Sequence, residues 1–591
     1  MKFLKALYFS TLLSSCAANL LAQNVSNNLF THTVTPGESL YSIATMYNVS
    51  VDEIVDLNPG SEIILRSGSV LKIPQKNVVE QKKLFHTIQQ GETLYKLTVK
   101  YGITASEICN ANPGLSADHF KVGQVIVIPT SSADNSSILA NNKTKSPNVV
   151  SPKSKQEKSY REMHRVEKKE TIFSISKLYN ISEQELLDAN PELKDGKLKK
   201  GMFLRIPNPI KLITNNVPSD SELFIKSKAS SRKFAKVKAA LLLPFITKGE
   251  SKDEQSKMVE YYEGFLLAVD SLKRQGYSFE IHTYDTSNDV ASLQKVLAKK
   301  EMKDMNIIFG PAYHEQVRVA SEFAKKNNIR LVVPFTSKGN EVFSNPDIYQ
   351  INTPQSYLYS EVYDHFIKQF PNSNVIFLNT GVGNGDKAEF ISGLKSELRN
   401  NNISFSELTG DAIIPEAIKA AMNPQKDNIF IPLSSSNTAL IKLLPQLVVT
   451  TRENPEYSIK LFGYPEWQTY TADHLSSFYE LDTYFYTSFY TNNLFPEAVN
   501  FSSLYRKTYG KIMANTYPKY GVLGFDTGYF FLKALSQYGN QAEENISKVN
   551  VTPIQTGFKF ERVNNWGGFI NKKVIFVHLT KNYELIKMHF E

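Results

Sequence analysis

The sequence predicts a multidomain chain: three small α+β units, each a strand, helix, helix and strand, followed by a two-lobed α/β region of parallel sheets. Three observations carry that expectation. A segment running from His32 to Pro74 recurs as His86 to Pro129 and again as His164 to Pro207. The stretch 130–161 is rich in Ser, Asn and Lys and too poor in apolar residues to hold a core of its own, and 208–235 reads as a further linker into the remainder of the chain. From Val237 onward, apolar runs alternate with amphipathic stretches at helical spacing, the pattern of strands covered by helices on both faces.

Each repeat carries its own folding instructions. A short strand at His32, His86 or His164 leads through a turn to Ser39, Thr93 or Thr171, whose hydroxyl accepts from the free amides of a starting helix. The helix then shows an apolar stripe: Leu40, Ile43, Ala44 and Tyr47; Leu94, Leu97 and Tyr101; Ile172, Ile175 and Tyr179. A second helix opens on a capping box, Ser50 with Glu53, Thr104 with Glu107 and Ser182 with Glu185. It ends at Asn58-Pro59, Asn112-Pro113 and Asn190-Pro191, because the residue before a proline is driven out of the helical region. Gly68, Gly123 or Gly201 then leads into a closing strand that ends Ile-Pro.

These repeats resemble the LysM family, whose members bind the N-acetylglucosamine-containing glycan of peptidoglycan or chitin. The resemblance implies a shallow sugar groove between the strand-to-helix loop and the helix-to-strand loop. In the first repeat (32–74) the groove falls on Gly37, Glu38, Ser39, Leu40, Asn58 and Pro59. In the second (86–129) it falls on Gly91, Glu92, Thr93, Leu94, Asn112 and Pro113. In the third (164–207) it falls on Thr171, Ile172, Asn190 and Pro191, but Lys169 replaces the glycine that lets backbone amides approach an acetamide. The third repeat is therefore expected to act more as a spacer, and the first two to carry most of the retention on a cell wall.

The N-terminus reads as a secretory signal over 1–22: Lys2 and Lys5, an apolar run from Ala6 to Leu13, and a small residue at Ala22. Two processing sites compete, release after Ala22 and a lipobox at Leu13-Ser14-Ser15-Cys16 that would place a lipid on Cys16 and bring the protein to a membrane. Either route leads to the periplasm or cell envelope. The chain has two cysteines, Cys16 and Cys109, so the exported form holds no internal disulfide, and Cys109 reads as a core thiol at the position of Val55 and Leu187. A formal charge of +9 suits an anionic neighbour, which for an exported protein means wall carboxylates or lipid head groups before nucleic acid. The tethers, with Gln75 to Leu84 between the first two repeats, make the repeats beads on a string.

The region 236–591 opens on the strand Val237 to Pro244, and its rhythm restarts after Thr353-Pro354. Two lobes follow from its length: one from about 236–354 plus about 490–550, the other about 355–489, with C-terminal strands in 551–591. The segments ALLLPF, YYEGFLLAVD, NIIFGPAYHEQVRVASEFAKKNNIRLVVPFTSKGN, QINTP, LFGYPEWQTY and VLGFDTGYFFLKAL resemble type I periplasmic binding proteins of the branched-chain amino acid receptor group. The same lobed fold occurs in lipoproteins that activate penicillin-binding proteins. The resemblance places a ligand between the lobes, on loops at the carboxyl ends of the strands. Here those loops offer Tyr313, His314, Thr336, Ser337, Gly383 and Glu466. Ala312-Tyr313-His314 replaces a serine-rich loop and Phe335 fills a place usually small, which argues against an ordinary amino-acid site.

No catalytic constellation is evident: the chain lacks a zinc-binding His-Glu-x-x-His, a Gly-x-Ser-x-Gly elbow, a Walker loop and paired cysteines. His282, Asp285 and Asp289 read as structural, and no cofactor or metal is expected. Three readings follow. One is a noncatalytic protein that holds peptidoglycan glycan strands while its receptor domain takes a small molecule or wall fragment. The second is a scaffold that contacts a cell-wall synthase, and the third a peptidoglycan hydrolase.

Overall fold

A computed structural model describes residues 29–590 apart from 36–37, 63–64, 66, 76–82, 130–161, 168–169, 180, 182–185, 188, 194–197, 208–217, 228–231, 247–251 and 383–384. The signal segment, Cys16, the 130–161 tether and the Ser182–Glu185 capping box therefore lie outside the described residues, as do Gly37, Lys169 and Gly383.

In the first repeat, β1 (Leu29–Thr33) pairs antiparallel with β2 (Val70–Pro74), His32 opposite Leu71. Between them lie α1 (Leu40–Tyr47), capped by Ser39, and α2 (Val51–Leu57), opened by reciprocal bonds between Ser50 and Glu53. Asn48 ends α1 at φ 55°, a left-handed conformation that asparagine tolerates. The second repeat repeats the pattern with β3 (Lys83–Thr87), α3 (Leu94–Tyr101), α4 (Ala105–Ala111) and β4 (Val125–Pro129), and Thr104 and Glu107 form the expected capping box. The third pairs β5 (Glu162–Arg165) with β6 (Phe203–Ile206) around α5 (Ile172–Tyr179).

The first two repeats are not separate beads. The Thr31 amide donates to Thr87 Oγ1, whose hydroxyl donates to the Thr31 carbonyl at 2.6 Å, so β1 and β3 are clamped side by side. Phe30 stacks on Phe85 with centroids 5.3 Å apart, and Trp566 of the C-terminal region closes over Phe85 and Tyr47. A single core thus runs from Ile43 and Ile54 through Trp566 into Val317 and Leu331. The physical reason is size: a unit of some forty residues buries too little of its own surface to be comfortably stable, and docking supplies the remainder. The stretch 208–235, expected to be a plain tether, contains a further helix, α6 (Asp220–Ser227), whose Phe224 is buried in the core of the second repeat.

The C-terminal region begins with β7 (Val237–Leu243), α7 (Lys252–Arg274), β8 (Phe279–Asp285), α8 (Val290–Leu297), β9 (Ile307–Phe309), α9 (His314–Asn327), β10 (Arg330–Val333) and β11 (Ile348–Gln350). The chain then crosses to a second lobe. That lobe is built from α10 (Tyr359–Gln369), β12 (Ser373–Asn379), α11 (Ala388–Asn400), β13 (Ser404–Thr409), α12 (Pro415–Ala421), β14 (Asp427–Pro432), α13 (Asn437–Glu453), β15 (Ile459–Gly463), α14 (Thr471–Glu480) and β16 (Thr483–Thr487). It returns to the first lobe for α15 (Pro496–Tyr509), α16 (Tyr520–Tyr538), β17 (Phe560–Arg562) and β18 (Phe569–Asn571), and crosses a third time into β19 (Ile575–Leu579) and β20 (Leu585–His589).

Two seven-stranded sheets result, in the orders β17-β18-β11-β10-β9-β7-β8 and β13-β12-β14-β15-β16-β19-β20. Both are parallel except at the edge formed by the last strands. The 551–591 strands, grouped together from sequence, therefore divide between the lobes and finish both sheets. Helix α7 packs on α16 at close range because Gly264 lies against Gly521 and Gly524 against the Tyr261 carbonyl, where a β-carbon has no room. The apolar, fully buried strands follow from helices on both faces, and Ile376, Phe377, Ile429 and Phe430 are inaccessible to solvent.

Candidate functional site

One arrangement recurs in all three repeats and was not singled out from sequence. His32 Nδ1 meets the Tyr47 hydroxyl at 2.8 Å and His32 Nε2 meets Glu38 Oε2 at 2.9 Å. His86 does the same with Tyr101 at 2.9 Å and Glu92 at 2.6 Å, and His164 with Tyr179 at 2.9 Å and Glu170 at 2.8 Å. Each ring donates from Nε2 to the carboxylate and meets the tyrosine hydroxyl at Nδ1, so the imidazole bridges the loop to the first helix. The same carboxylates accept backbone amides, from Thr35, Gln89 and Glu167. Burial pushes Glu92 upward, but the Gln89 amide, His86 and Lys100 together hold it below the usual carboxylate range. Burial lowers His86. Glu38 and Glu92, assigned to the groove, are thus already committed to holding the strand-to-helix loop. The signal was in the sequence: His, Glu six residues on and Tyr fifteen residues on, three times.

The asparagines are committed too. Asn112 donates from Nδ2 to the carbonyls of Ile108 and Val127 and accepts the Val127 amide at Oδ1, all at 2.7–2.8 Å. Asn58 binds Ile54 and Lys72 in the same way, and Asn190 binds Leu186 and Arg205. Each ties the end of the second helix to the closing strand.

What remains for a ligand differs among the repeats. In the first, Ser39 and Leu40 are half-buried and Pro59 is exposed; in the third, Thr171 and Pro191 are exposed and Ile172 half-buried. In the second, Gly91 and Pro113 are exposed, but Leu94 is fully buried, and its amide donates to Asp220 Oδ1 of α6 at 2.9 Å. The adjoining Gly114 amide donates to the Asn565 carbonyl at 2.8 Å, while Asn565 Nδ2 donates to the Val125 carbonyl. A cleft of about 1020 Å³ lies where the first repeat, the second repeat and the C-terminal region meet, lined by His32, Glu38, Pro113, Asp118, Glu544 and Arg562 among others.

Glu466 lies in the turn that follows β15 in lobe two. It is paired with Lys387 Nζ at 2.7 Å and accepts from Gln355 Nε2 at 3.1 Å; its other oxygen is buried without a hydrogen-bond partner. Lys387 was not anticipated. Its side chain is 6% exposed and reaches Gln355 Oε1 as well, so the ion pair ties lobe two to the first crossing segment. Gln468 Oε1 and Thr353 Oγ1 are also buried without partners. Tyr313 precedes α9 and His314 opens it, with Nδ1 of His314 buried and unpartnered. Thr336 Oγ1 accepts from the Lys338 amide, and Ser337 lies in the same half-buried turn. Phe335 packs edge-on against Tyr261 at 4.7 Å and stacks near Tyr520 at 6.1 Å.

Asp289 caps α8 by accepting from the Ser292 amide, and His282 pairs with Glu280. Among the described residues no three His, Cys, Asp or Glu side chains converge as a metal site, and no helix is long and apolar enough to cross a membrane. Cys109 is half-buried beneath α6, and burial pushes its thiol upward against a hydrogen bond with Ser227.

Residues 32–74, 86–129 and 164–207 each match the LysM domain family. Among curated proteins the chain is similar to the probable N-acetylmuramoyl-L-alanine amidase AmiB of Haemophilus influenzae, 26% identical over 188 residues, covering 32% of this chain and 34% of that protein. It is also similar to N-acetylmuramoyl-L-alanine amidase sle1 of Staphylococcus aureus, 28% identical over 138 residues, covering 22% of this chain and 41% of that protein. The chain spans less than half the length of either, and the likeness is confined to the LysM region. Solved structures similar to this chain include an ABC transporter substrate-binding protein from Desulfitobacterium hafniense in complex with Leu, 11% identical, covering 60% of this chain and 100% of that one, TM-score 0.35. Another is a branched chain amino acid ABC transporter periplasmic ligand-binding protein from Burkholderia xenovorans, 11% identical, covering 60% and 95%, TM-score 0.38. Scores of this size carry no argument, and the architecture rests on the strand orders and the three crossings. The chain thus carries three segments that match the LysM domain, followed by a two-lobed α/β domain of two seven-stranded sheets joined by three crossings.

Proposed function

We propose that this is a noncatalytic protein of the cell envelope that binds the N-acetylglucosamine-containing glycan of peptidoglycan through its LysM domains. Its two-lobed domain serves as a receptor for a small polar molecule or wall fragment. The observation that carries the first half is the threefold LysM match, with the antiparallel strand pair present in each unit. Several such domains on one chain gain retention by avidity, since the second contact forms at high effective concentration. The second half is supported by Glu466, Gln468 and Thr353, which hold buried oxygens without hydrogen-bond partners beside the crossing segment. Buried polar atoms left unsatisfied are costly unless something meets them. A hydrolase reading has no support in the side-chain geometry described above.

The second reading, a scaffold for a cell-wall synthase with no small ligand, is favoured by Phe335, which fills space between Tyr261 and Tyr520. Thermal-shift measurements on the whole chain against N-acetylglucosamine oligomers, muropeptides and amino acids separate the readings, because a ligand that binds only the folded state raises the midpoint. Oligomers are expected to stabilise the protein through the repeats. A shift with muropeptides or amino acids that Glu466→Gln abolishes assigns the cleft. Silence in that second arm favours the scaffold, and silence in both refutes glycan binding.

A further inference from the structure

The second repeat differs from its siblings in a way that its own sequence does not explain. Both loops that frame its groove are held by other parts of the same chain. On one side the Leu94 amide, at the start of α3, is bound by the Asp220 carboxylate of α6. On the other the Gly114 amide is bound by the Asn565 carbonyl. Leu94 is 0% exposed, whereas Leu40 and Ile172 at the equivalent positions are only half-buried. The covering group is α6 itself: Phe224 is 4% exposed, lies 6.1 Å from Phe120 and belongs to the core of the second repeat, and Leu223 packs beside it. The helix is built to stay there. Ser219 and Glu222 exchange backbone bonds at its start, which directs Asp220 toward the Leu94 amide, and Ser227 reaches the Cys109 thiol at its end.

We infer that α6 is an intramolecular occupant of the second repeat's groove and competes there with glycan. This rests on the glycan reading above and assigns the wall contact of the resting chain to the first and third repeats. A carboxylate on the Leu94 amide and a phenyl ring buried against the second repeat beside Phe120 present what a sugar offers such a groove, an acceptor oxygen and an apolar ring face. The second repeat then opens to glycan only when α6 leaves, and otherwise serves as an internal dock that fixes the 208–235 connection to the body of the protein. The expectation that the first two repeats alike carry wall retention is replaced by an unequal one.

Cys109 makes the inference testable, because in the chain from Gln23 onward it is the sole thiol and lies beneath α6. Its alkylation by iodoacetamide reads helix docking without any glycan, and titration calorimetry with tetra-N-acetylglucosamine reads the number of open grooves. Phe224→Ala is expected to raise the alkylation rate by about tenfold or more, a change of about 1.4 kcal/mol, and to add one glycan site per chain. Asp220→Asn, which keeps the packing and weakens only the bond to Leu94, shifts both readouts the same way by less. Unchanged alkylation overturns the docking. Faster alkylation without a gained site overturns the competition, and a variant that loses a site shows that α6 completes the groove instead of filling it. If neither protein binds the oligomer, the glycan reading falls and the competition with it, whatever the thiol reports.

Discussion

Replacing Trp566 by Ala tests whether the repeats and the C-terminal domain are one body. The indole is 5% exposed and lies 5.3 Å from Phe85 and 6.0 Å from Tyr47, so it joins both LysM domains to lobe one. An indole side chain buries up to about 250 Å², which at about 25 cal/mol per Å² is about 6 kcal/mol. Residual burial in the denatured chain reduces that to about 4–5 kcal/mol, within the range of about 3–5 for removing a core tryptophan. Because the loss falls on a joint, the expected result is decoupling more than global collapse. Calorimetry should show an early transition of the repeats separating from that of the lobes, and small-angle scattering should show a larger radius of gyration. Trp566→Phe, which keeps an aromatic ring at the joint, should do markedly less. A single transition at the wild-type temperature with unchanged scattering would refute the shared core.

Asn112→Ala strands the Val127 amide and two carbonyls in a buried site; at roughly 1–3 kcal/mol for an unsatisfied group, the second repeat should lose most of its hydrogen-exchange protection while lobe two keeps its own. Lys387→Met leaves Glu466 without its counter-ion; since the carboxylate is a third exposed, the cost should be about 1–2 kcal/mol, below that of a fully buried pair, and a double-mutant cycle with Glu466→Gln should return a coupling of about 1 kcal/mol in denaturant melts. His365 is lowered to about 4 by burial and by Lys368, Lys559 and Lys573, and its ring stacks on Phe590 at 4.2 Å. A depressed folded pKa means that the unfolded chain binds the proton first. Stability should therefore fall as pH drops from about 6.5 toward about 4, by at most about 3 kcal/mol from this group, and His365→Phe should remove that share; identical pH profiles would contradict it.

The repeat boundaries, their caps and their strand order were legible because each is fixed by neighbours within a few residues: Ser50 with Glu53, Thr104 with Glu107, Asn58 before Pro59. The alternation after Val237 was legible for the same reason. What was not legible depends on partners far along the chain. Lys387 becomes a site residue only because folding brings it to Glu466, and the short apolar run Leu223-Phe224-Ile225 gains a partner only when repeat two closes on it. Strand β16, Thr483–Thr487, is enclosed by β15 on one side and on the other by the antiparallel strand β19, which follows some ninety positions later. In the groove, recurrence was informative about position but not about role: Glu38, Glu92 and the three asparagines recur because the fold needs them.

The seating of the repeats on lobe one has a mechanical consequence. The Thr31 clamp, Trp566, Asn565 and the bond between Asn340 and the Tyr41 hydroxyl all join the repeats to each other or to that lobe, and Tyr357, on the crossing into lobe two, bonds with Ser42. Whatever holds the first two repeats therefore holds lobe one as a stator. Any closing of the two lobes is a swing of lobe two about an axle that the first repeat touches directly, so load borne by that repeat is felt at the pivot.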